Sequence, residues 1–550
     1  FKSKKRKEVN DMRSILKNET VKNLLEDLEK RVENNILESS NFEFLKKLLS
    51  KAESEEEAIS ICKLGTTYNK TGIIYEKKLE LPSDTLKYFK RDNDLSFDNG
   101  GIKHEVIIGD NYYGLKNLLV KYRNNIDVIY IDPPYGIDSM GEFAETNYEN
   151  AINRDNLLSM LYPRLNLAKQ LMSEEGVLFC SIDDRNYSYV KNLIDDVFTE
   201  KNVSTMIWNK VSDTGSAGQG KMKITYTFRR DHEYIIVAFK NKQYMEFNKP
   251  LRIKEYQNEY DNKDNDPRGP WVSSEMCKSE AKSNPNGKNY YEVKTPKGRV
   301  ITRQWHYSPE ELKELDADNR IFWGDGNIIP RFKRFVNEPQ PTTPTSVIQN
   351  ISQTDGNNDL YNIFGCKIFD NPKPVDLIKW LIEIASKKDS IILDFFSGSA
   401  TTGQATLEVN RNDKGNRKFI MVQLDEDVED AYNKNPKDEV LKNQMDLLKE
   451  MERPYKLSEI TVERLRRIML GKSIGKNIEF DWINNNEKFG DSLEVYNIDN
   501  ISVYDVNLFN EIDETIYGSK KINNIKEKID WVTKNFEKIA RRLEEDVTGN

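Results

Sequence analysis

Between residues 104 and 204 the chain alternates short apolar runs with helical periodicity, and this rhythm restricts the fold more than any other feature. "EVIIGD" ends at Asp110 and leads into "NYYGLKNLLVKYR", "DVIYID" into "RDNLLSMLYPRLNLAKQLMSEEG", and "GVLFCSID" into "NYSYVKNLIDDVF". Near-continuous apolar strands separated by helices predict an α/β fold, with a mostly parallel sheet covered on both faces. The pattern returns after residue 374 in "VDLIKWLIEIAS", "SIILDFFSGSATTGQATLEV" and "KFIMVQLDE". Between about 205 and 360 it breaks. There "TMIWNK", "HEYIIVAF" and "NYYEVKT" alternate with loops such as "VSDTGSAGQGKMK" and "SNPNGKN", which predicts a separate loop-rich module. Residues 1–60 read as helices, "GTTYNKTGIIYEKK" as a hairpin, and "SEITVERLRRIML" as an amphipathic helix with a basic face.

Charge is unevenly spread. Residues 201–300 carry 19 Lys+Arg against 12 Asp+Glu, a net +7 inside a chain of net −8, which leaves −15 elsewhere. A basic middle in an acidic chain fits a localised polyanion surface or a chance excess on a solvated face, and charge alone does not choose. Cys62, Cys180, Cys277 and Cys366 are far apart, with no C-x-x-C and only 3 His, so neither a disulfide framework nor a structural zinc site is expected. No run approaches the roughly 20 apolar residues of a membrane span, and "FKSKKRKEVNDM" lacks the apolar stretch of a signal peptide. A cytoplasmic location is expected.

Two strand ends stand out. In "VIYIDPPYGID" (128–138) a strand runs into Asp132-Pro133-Pro134-Tyr135. Two prolines remove two donors, fix two φ angles and extend the residues before them, giving a stiff loop that offers a carboxylate, carbonyls and a flat ring. Such a loop suits a planar ligand. In "SIILDFFSGSATTGQA" a strand ends at Asp394, small residues turn at Ser397-Gly398-Ser399-Ala400, and a helix opens near Thr401 and Thr402. Small residues admit a ligand close to the backbone, and the helix N-terminus favours negative charge. G-x-G-x-x-G and G-x-x-x-x-G-K-[ST] are both absent.

The two turns together, 262 residues apart, resemble those of β-class amino-methyltransferases of DNA, and within that class the modification subunit of type III restriction–modification systems. "EVIIGDNYYGLKNL", "GVLFCSIDD", "RRDHEYIIVAFKN", "NPKPVDLIKWLI" and "SEITVERLRRI" extend the likeness over roughly residues 104–470. It implies a Rossmann-like sheet for S-adenosylmethionine, with circularly ordered motifs, an inserted target-recognition domain and a helical N-terminal segment. The implied division is 1–95 (helical), 96–204 (catalytic half), 205–360 (target recognition), 361–450 (cofactor half) and 451–550 (C-terminal region).

The resemblance also assigns roles. Asp132 and the Pro133 carbonyl would accept hydrogen bonds from an adenine N6 amine, with Pro134 stiffening the loop and Tyr135 stacking on a flipped-out base. Phe396, Ser397, Gly398, Ser399, Thr401 and Thr402 would line the cofactor above Asp394. Asp110 would reach its adenine, Lys373 its methionine carboxylate, and Gln423, Asp425 or Glu426 its ribose. Ala400 stands where the family has its second glycine, so a slightly altered turn is expected. Lys221, Lys223, Arg229 and Arg230, around Tyr226 and Phe228, would meet duplex DNA. No metal is expected. A homodimer and a separate helicase/nuclease restriction subunit are the implied partners. Cytosine N4 as target, an RNA or protein amide substrate, and a DNA-binding subunit without activity are the competing readings.

Overall fold

The computed structural model describes residues 84–134, 154–211, 230–253, 260–336, 338–474 and 480–536, with Ile539 and parts of 21–61. Ten strands form one sheet: β1 (Thr85–Phe97), β2 (Lys103–Ile108), β3 (Ile126–Ile131), β4 (Met172–Ile182), β5 (Val203–Asn209), β6 (His232–Phe239), β7 (Val347–Ile348), β8 (Ile391–Asp394), β9 (Lys418–Gln423) and β10 (Ser492–Ser502). Their order is β1-β10-β2-β9-β8-β3-β4-β6-β5-β7. The central run from β10 to β4 is parallel, while β1, on one side, and β6, on the other, pair antiparallel with it.

The apolar strands serve two cores at once. Ile420 and Val422 of β9 enter one cluster, and Phe419 and Met421 enter the cluster on the other face. Successive side chains point to opposite faces, so a strand covered twice must be apolar throughout. Helices α1 (Asn111–Tyr122), α2 (Arg154–Leu171) and α3 (Tyr187–Phe198) contribute to the first cluster. Helices α4 (Gln353–Phe364) and α7 (Leu457–Leu470) contribute to the second, as does α6 (Thr401–Asp413) through Leu407, while α5 (Val375–Ala385) packs against α6.

Three expectations change. The loop-rich module is narrower than 205–360: the second compact unit is Phe247–Pro344. Strands β5, β6 and β7 belong to the main sheet because the apolar "HEYIIVAF" pairs with β4 along its length. Next, the main sheet reaches beyond 96 and 450, since it includes β1 and the late strand β10. Finally, α7 has no solvated basic face. Arg464 and Arg467 are each 1% exposed, their guanidinium groups bonded to protein oxygens, and both flanks of the helix meet protein. The expected hairpin at 65–78 lies outside the described residues.

The second unit, by itself, has a three-stranded antiparallel sheet (271–275, 331–335, 321–322), a hairpin (290–294 with 300–304) and a small core that includes Met276, Val293, Ile301 and Trp305. Lys333 lies fully buried beside Asp264 and Asp266.

Candidate active site

Strands β3 and β8 are neighbours, with Asp394 in register with Tyr130. From β3 the sheet continues through β4, and from β8 it continues the other way through β9. Ligands in open α/β sheets bind outside the strand ends at such a reversal. Here the two motifs, distant in sequence, share one cavity of about 220 Å³, far more than the 10–15 Å³ or so that a buried water needs. Asp110, Asp132, Pro134, Phe396, Gly398, Gln423 and Glu426 line it. Asn111, Arg164, Phe369, Phe395 and Leu457 also line it, and the sequence did not single these out.

The cofactor-type turn is built from Asp394 outward. One carboxylate oxygen accepts from the Phe396 N–H at 3.0 Å and the other from the Thr402 hydroxyl at 2.5 Å, tying strand end to helix start. Burial pushes the Asp394 carboxyl up to about 7 despite those two donors. Ala400 takes the left-handed conformation (φ 65°), so the turn expected of a glycine is made by alanine at a conformational cost of about 1–2 kcal/mol. Helix α7 holds the turn from behind. Arg464 donates to the Ser399 carbonyl at 2.7 Å, and the Thr461 hydroxyl donates to the Gly398 carbonyl at 2.8 Å. Gly403 permits this approach, since a Cβ there would lie 2.8 Å from Leu465. Burial lowers the Arg464 guanidinium to about 10, still charged at neutral pH, while Asp359 and Glu408 oppose the shift.

Several expected contacts are used otherwise. Ser399, Thr401 and Thr402 are buried, and their hydroxyls meet Arg464 or Asp394 rather than the cavity. The Ser397 hydroxyl donates to Gln423 at 3.3 Å. Asp425 accepts from Ser458 at 2.6 Å and so anchors the start of α7. Asp110 has two roles: it caps α1 through the Tyr112 N–H at 2.7 Å, and it pairs with Arg164 at 3.0 Å beside the cavity. Arg164 also binds Asn111, whose amide donates to the Phe395 carbonyl at 2.7 Å, linking α2, α1 and the turn. The detectable signal was a lone arginine after Pro163 on the inward side of α2.

Lys373 departs furthest from expectation. It is absent from the cavity wall, and its ammonium reaches both Asp132 oxygens, at 2.9 and 2.8 Å, and Glu233 at 3.5 Å. Burial would lower this lysine, but Asp132 and Glu233 outweigh burial and raise it. The loop Asn371-Pro372-Lys373-Pro374 is pressed against α4. Gln353 donates to the Pro372 carbonyl at 3.0 Å, and a Cβ on Gly356 would lie 2.2 Å from that same oxygen. Pro133 is buried, and Arg230 is exposed just before β6. Tyr135, Lys221, Lys223, Tyr226, Phe228 and Arg229 lie outside the described residues.

Comparison with known proteins points the same way. A family model described as DNA methylase matches residues 126–434. The chain is 31% identical over 348 residues to the type III restriction-modification enzyme StyLTI Mod subunit of Salmonella typhimurium, covering 58% of this chain and 52% of that protein. It is 26% identical over 448 residues to the EcoPI Mod subunit of Escherichia phage P1, covering 70% and 66%. It is also 26% identical over 348 residues to the type II methyltransferase M.KpnI of Klebsiella pneumoniae, covering 58% and 80%. The chain thus spans about half the length of the StyLTI relative.

Proposed function

The chain belongs to the DNA methylase family, and on that premise we propose that it methylates adenine N6 of a flipped-out base in duplex DNA, as the modification and recognition subunit of a type III restriction–modification system. The observation that carries the reading is the shared cavity, where Asp132 and the Phe395–Gly398 turn meet across adjacent strands. Its wall suits S-adenosylmethionine. Phenylalanine rings offer faces to a flat base or a cation, Asp110 and Glu426 supply negative charge, and the lining Arg164 is engaged by Asp110. When bound, that cofactor supplies an electrophilic methyl group on a sulfonium.

The chain's own residues do the rest by position and charge. An exocyclic amine is a poor nucleophile because its lone pair is delocalised into the ring. The Asp132 carboxylate and the Pro133 carbonyl accept its two N–H groups and draw the nitrogen toward tetrahedral geometry, freeing that lone pair. Asp132 is 29% exposed and lines the cavity while Lys373 grips it. A base inside a duplex cannot reach this loop, which requires flipping, with Tyr135 as the stacking ring. The unit 247–344 is the target-recognition domain, and the basic stretch through Arg230 meets the phosphates. A homodimer and a separate restriction subunit complete the proposed assembly.

The test exposes purified chain to methyl-labelled S-adenosylmethionine and random-sequence duplex DNA, with the labelled nucleoside identified by mass. N6-methyladenine is expected. N4-methylcytosine would overturn the choice of base, and label on RNA or protein alone would overturn the substrate class.

A further inference from the structure

Glu233 has no part in the mechanism above, yet it sits at the centre of a chain of charges that ends on the reacting carboxylate. It is 7% exposed, near the start of β6, where it pairs across the sheet with Trp208 of β5. Lys210, just beyond β5, donates to one oxygen at 3.0 Å, and Lys373 approaches the other at 3.5 Å. Burial would raise the Glu233 carboxyl, but Lys373 and Lys210 outweigh burial and hold it below its usual value. Four side chains from four segments therefore alternate in sign: Lys210, Glu233, Lys373, Asp132.

We propose that Glu233 is a positioning residue for methyl transfer, fixing the Lys373 ammonium where it grips both oxygens of Asp132. The inference rests on the methyl-transfer reading of the cavity. An ammonium has three N–H groups, enough to donate to both Asp132 oxygens and still face Glu233 at 3.5 Å. A lysine stem has four rotatable carbons and does not hold one geometry without a second anchor. The terminal torsion of an aspartate is similarly soft. Two-point contact with Lys373 sets that torsion and so the direction in which the carboxylate meets the target amine. Charge balance gives Glu233 a second effect. With Glu233 ionised the four groups sum to zero, whereas without its charge they present +1 beside an amine that becomes positive during transfer. Neither Glu233 nor Lys373 lines the cavity, so the effect belongs to turnover rather than to cofactor binding.

The experiment compares wild type, Glu233→Gln and Glu233→Asp as full chains, with labelled S-adenosylmethionine and random-sequence duplex DNA. Glu233→Gln is expected to lower kcat by about 10- to 100-fold, the scale of a small misplacement at a reacting centre. KM and Kd for S-adenosylmethionine should stay within about twofold, and Glu233→Asp should recover part of the loss. A kcat within twofold of wild type overturns the proposal, as does a loss confined to cofactor affinity. A crystal structure of Glu233→Gln judges the geometry independently. Loss of the two-point contact between Lys373 and Asp132 supports the proposal, and an unchanged pair refutes it. Failure of the wild type to methylate DNA would count against the proposed function, while the crystallographic arm still decides the role of Glu233.

Discussion

Each of the two compact units contains a buried lysine shared by two carboxylates, and the two centres differ in what the outer carboxylate faces. In the second unit Lys333 meets Asp266, which is fully buried, and Asp264, which is 26% exposed and accepts from the Trp271 indole N–H at 2.9 Å. Arg268 adds its own hydrogen bonds to Asp266 and, with Lys333, holds that carboxyl well below the usual range. In the first unit Lys373 meets Glu233 and Asp132, and Asp132, 29% exposed, lines the cavity. The same charge pattern is structural where the outer carboxylate is tied to a tryptophan, as Asp264 is, and available for chemistry where it lines a cavity, as Asp132 does. A buried ion pair by itself therefore says little about function. What its outer carboxylate faces says more, since Asp264 and Asp132 are almost equally exposed.

The sharpest way to break the comparison is to neutralise the carboxylate that lines the cavity. Asp132→Asn is expected to lower kcat by about 10²–10³-fold or more while the thermal unfolding midpoint moves little. If folding suffers as much as turnover, the two centres are alike after all. Lys333→Met should do the reverse, costing about 3 kcal/mol of stability, as expected when a buried charge loses its partner. Calorimetric unfolding of the full chain would show the loss, and a change below about 1 kcal/mol would mean that Arg268 alone suffices.

Asp394 extends the comparison to a buried acid held by two neutral donors, the Phe396 N–H and the Thr402 hydroxyl. Its folded pKa, about 7, lies above the ordinary 3.8, so the folded state binds the extra proton. Its contribution to stability is complete below pH 4 or so and is lost as pH rises towards 7. Asp394→Asn should therefore gain on wild type over that window and then level off. Three pKa units set a ceiling of about 4 kcal/mol, and with local relaxation we expect about 2. Unfolding curves at pH 5 and pH 8 would test the sign. The smallest effect belongs to Ala400→Gly, where relief of the left-handed backbone and loss of a buried methyl nearly cancel, within about 1 kcal/mol by chemical denaturation.

The parts of this molecule legible in its sequence are those where local chemistry and position agree. Asp110, Asp132 and Asp394 each end an apolar run before a turn, and all three lie at strand ends on the same side of the sheet. The strand-and-helix rhythm, the parallel centre and the cavity followed from them. Long-range pairing stayed hidden. "HEYIIVAF" looked like part of a loop-rich module because its partner β4 precedes it by some 60 residues. "SLEVYNIDNIS" alternates too weakly to announce an interior strand, yet it pairs with β1 and β2. Charged residues misled most. Arg464 read as part of a basic helix face and Lys373 as a partner of the cofactor's carboxylate, since composition cannot reveal that a cluster of neutral oxygens or two carboxylates of the chain itself awaits a cation.

The place of β10 has a consequence for how the protein is made. Strands β1 and β2 are separated by only 5 residues in the chain, but β10 lies between them in the sheet and begins 384 residues after β2 ends. At the 5–20 or so residues per second of synthesis, a ribosome delivers that strand about 20–80 s after β2 has emerged. The other neighbour of β2, β9, which carries Gln423 at the cavity wall, begins 310 residues after β2 ends, so β2 lacks both neighbours for most of that interval and β10 alone for the rest. The nascent chain thus waits with an unfilled slot in its sheet, and the last strand to arrive closes it.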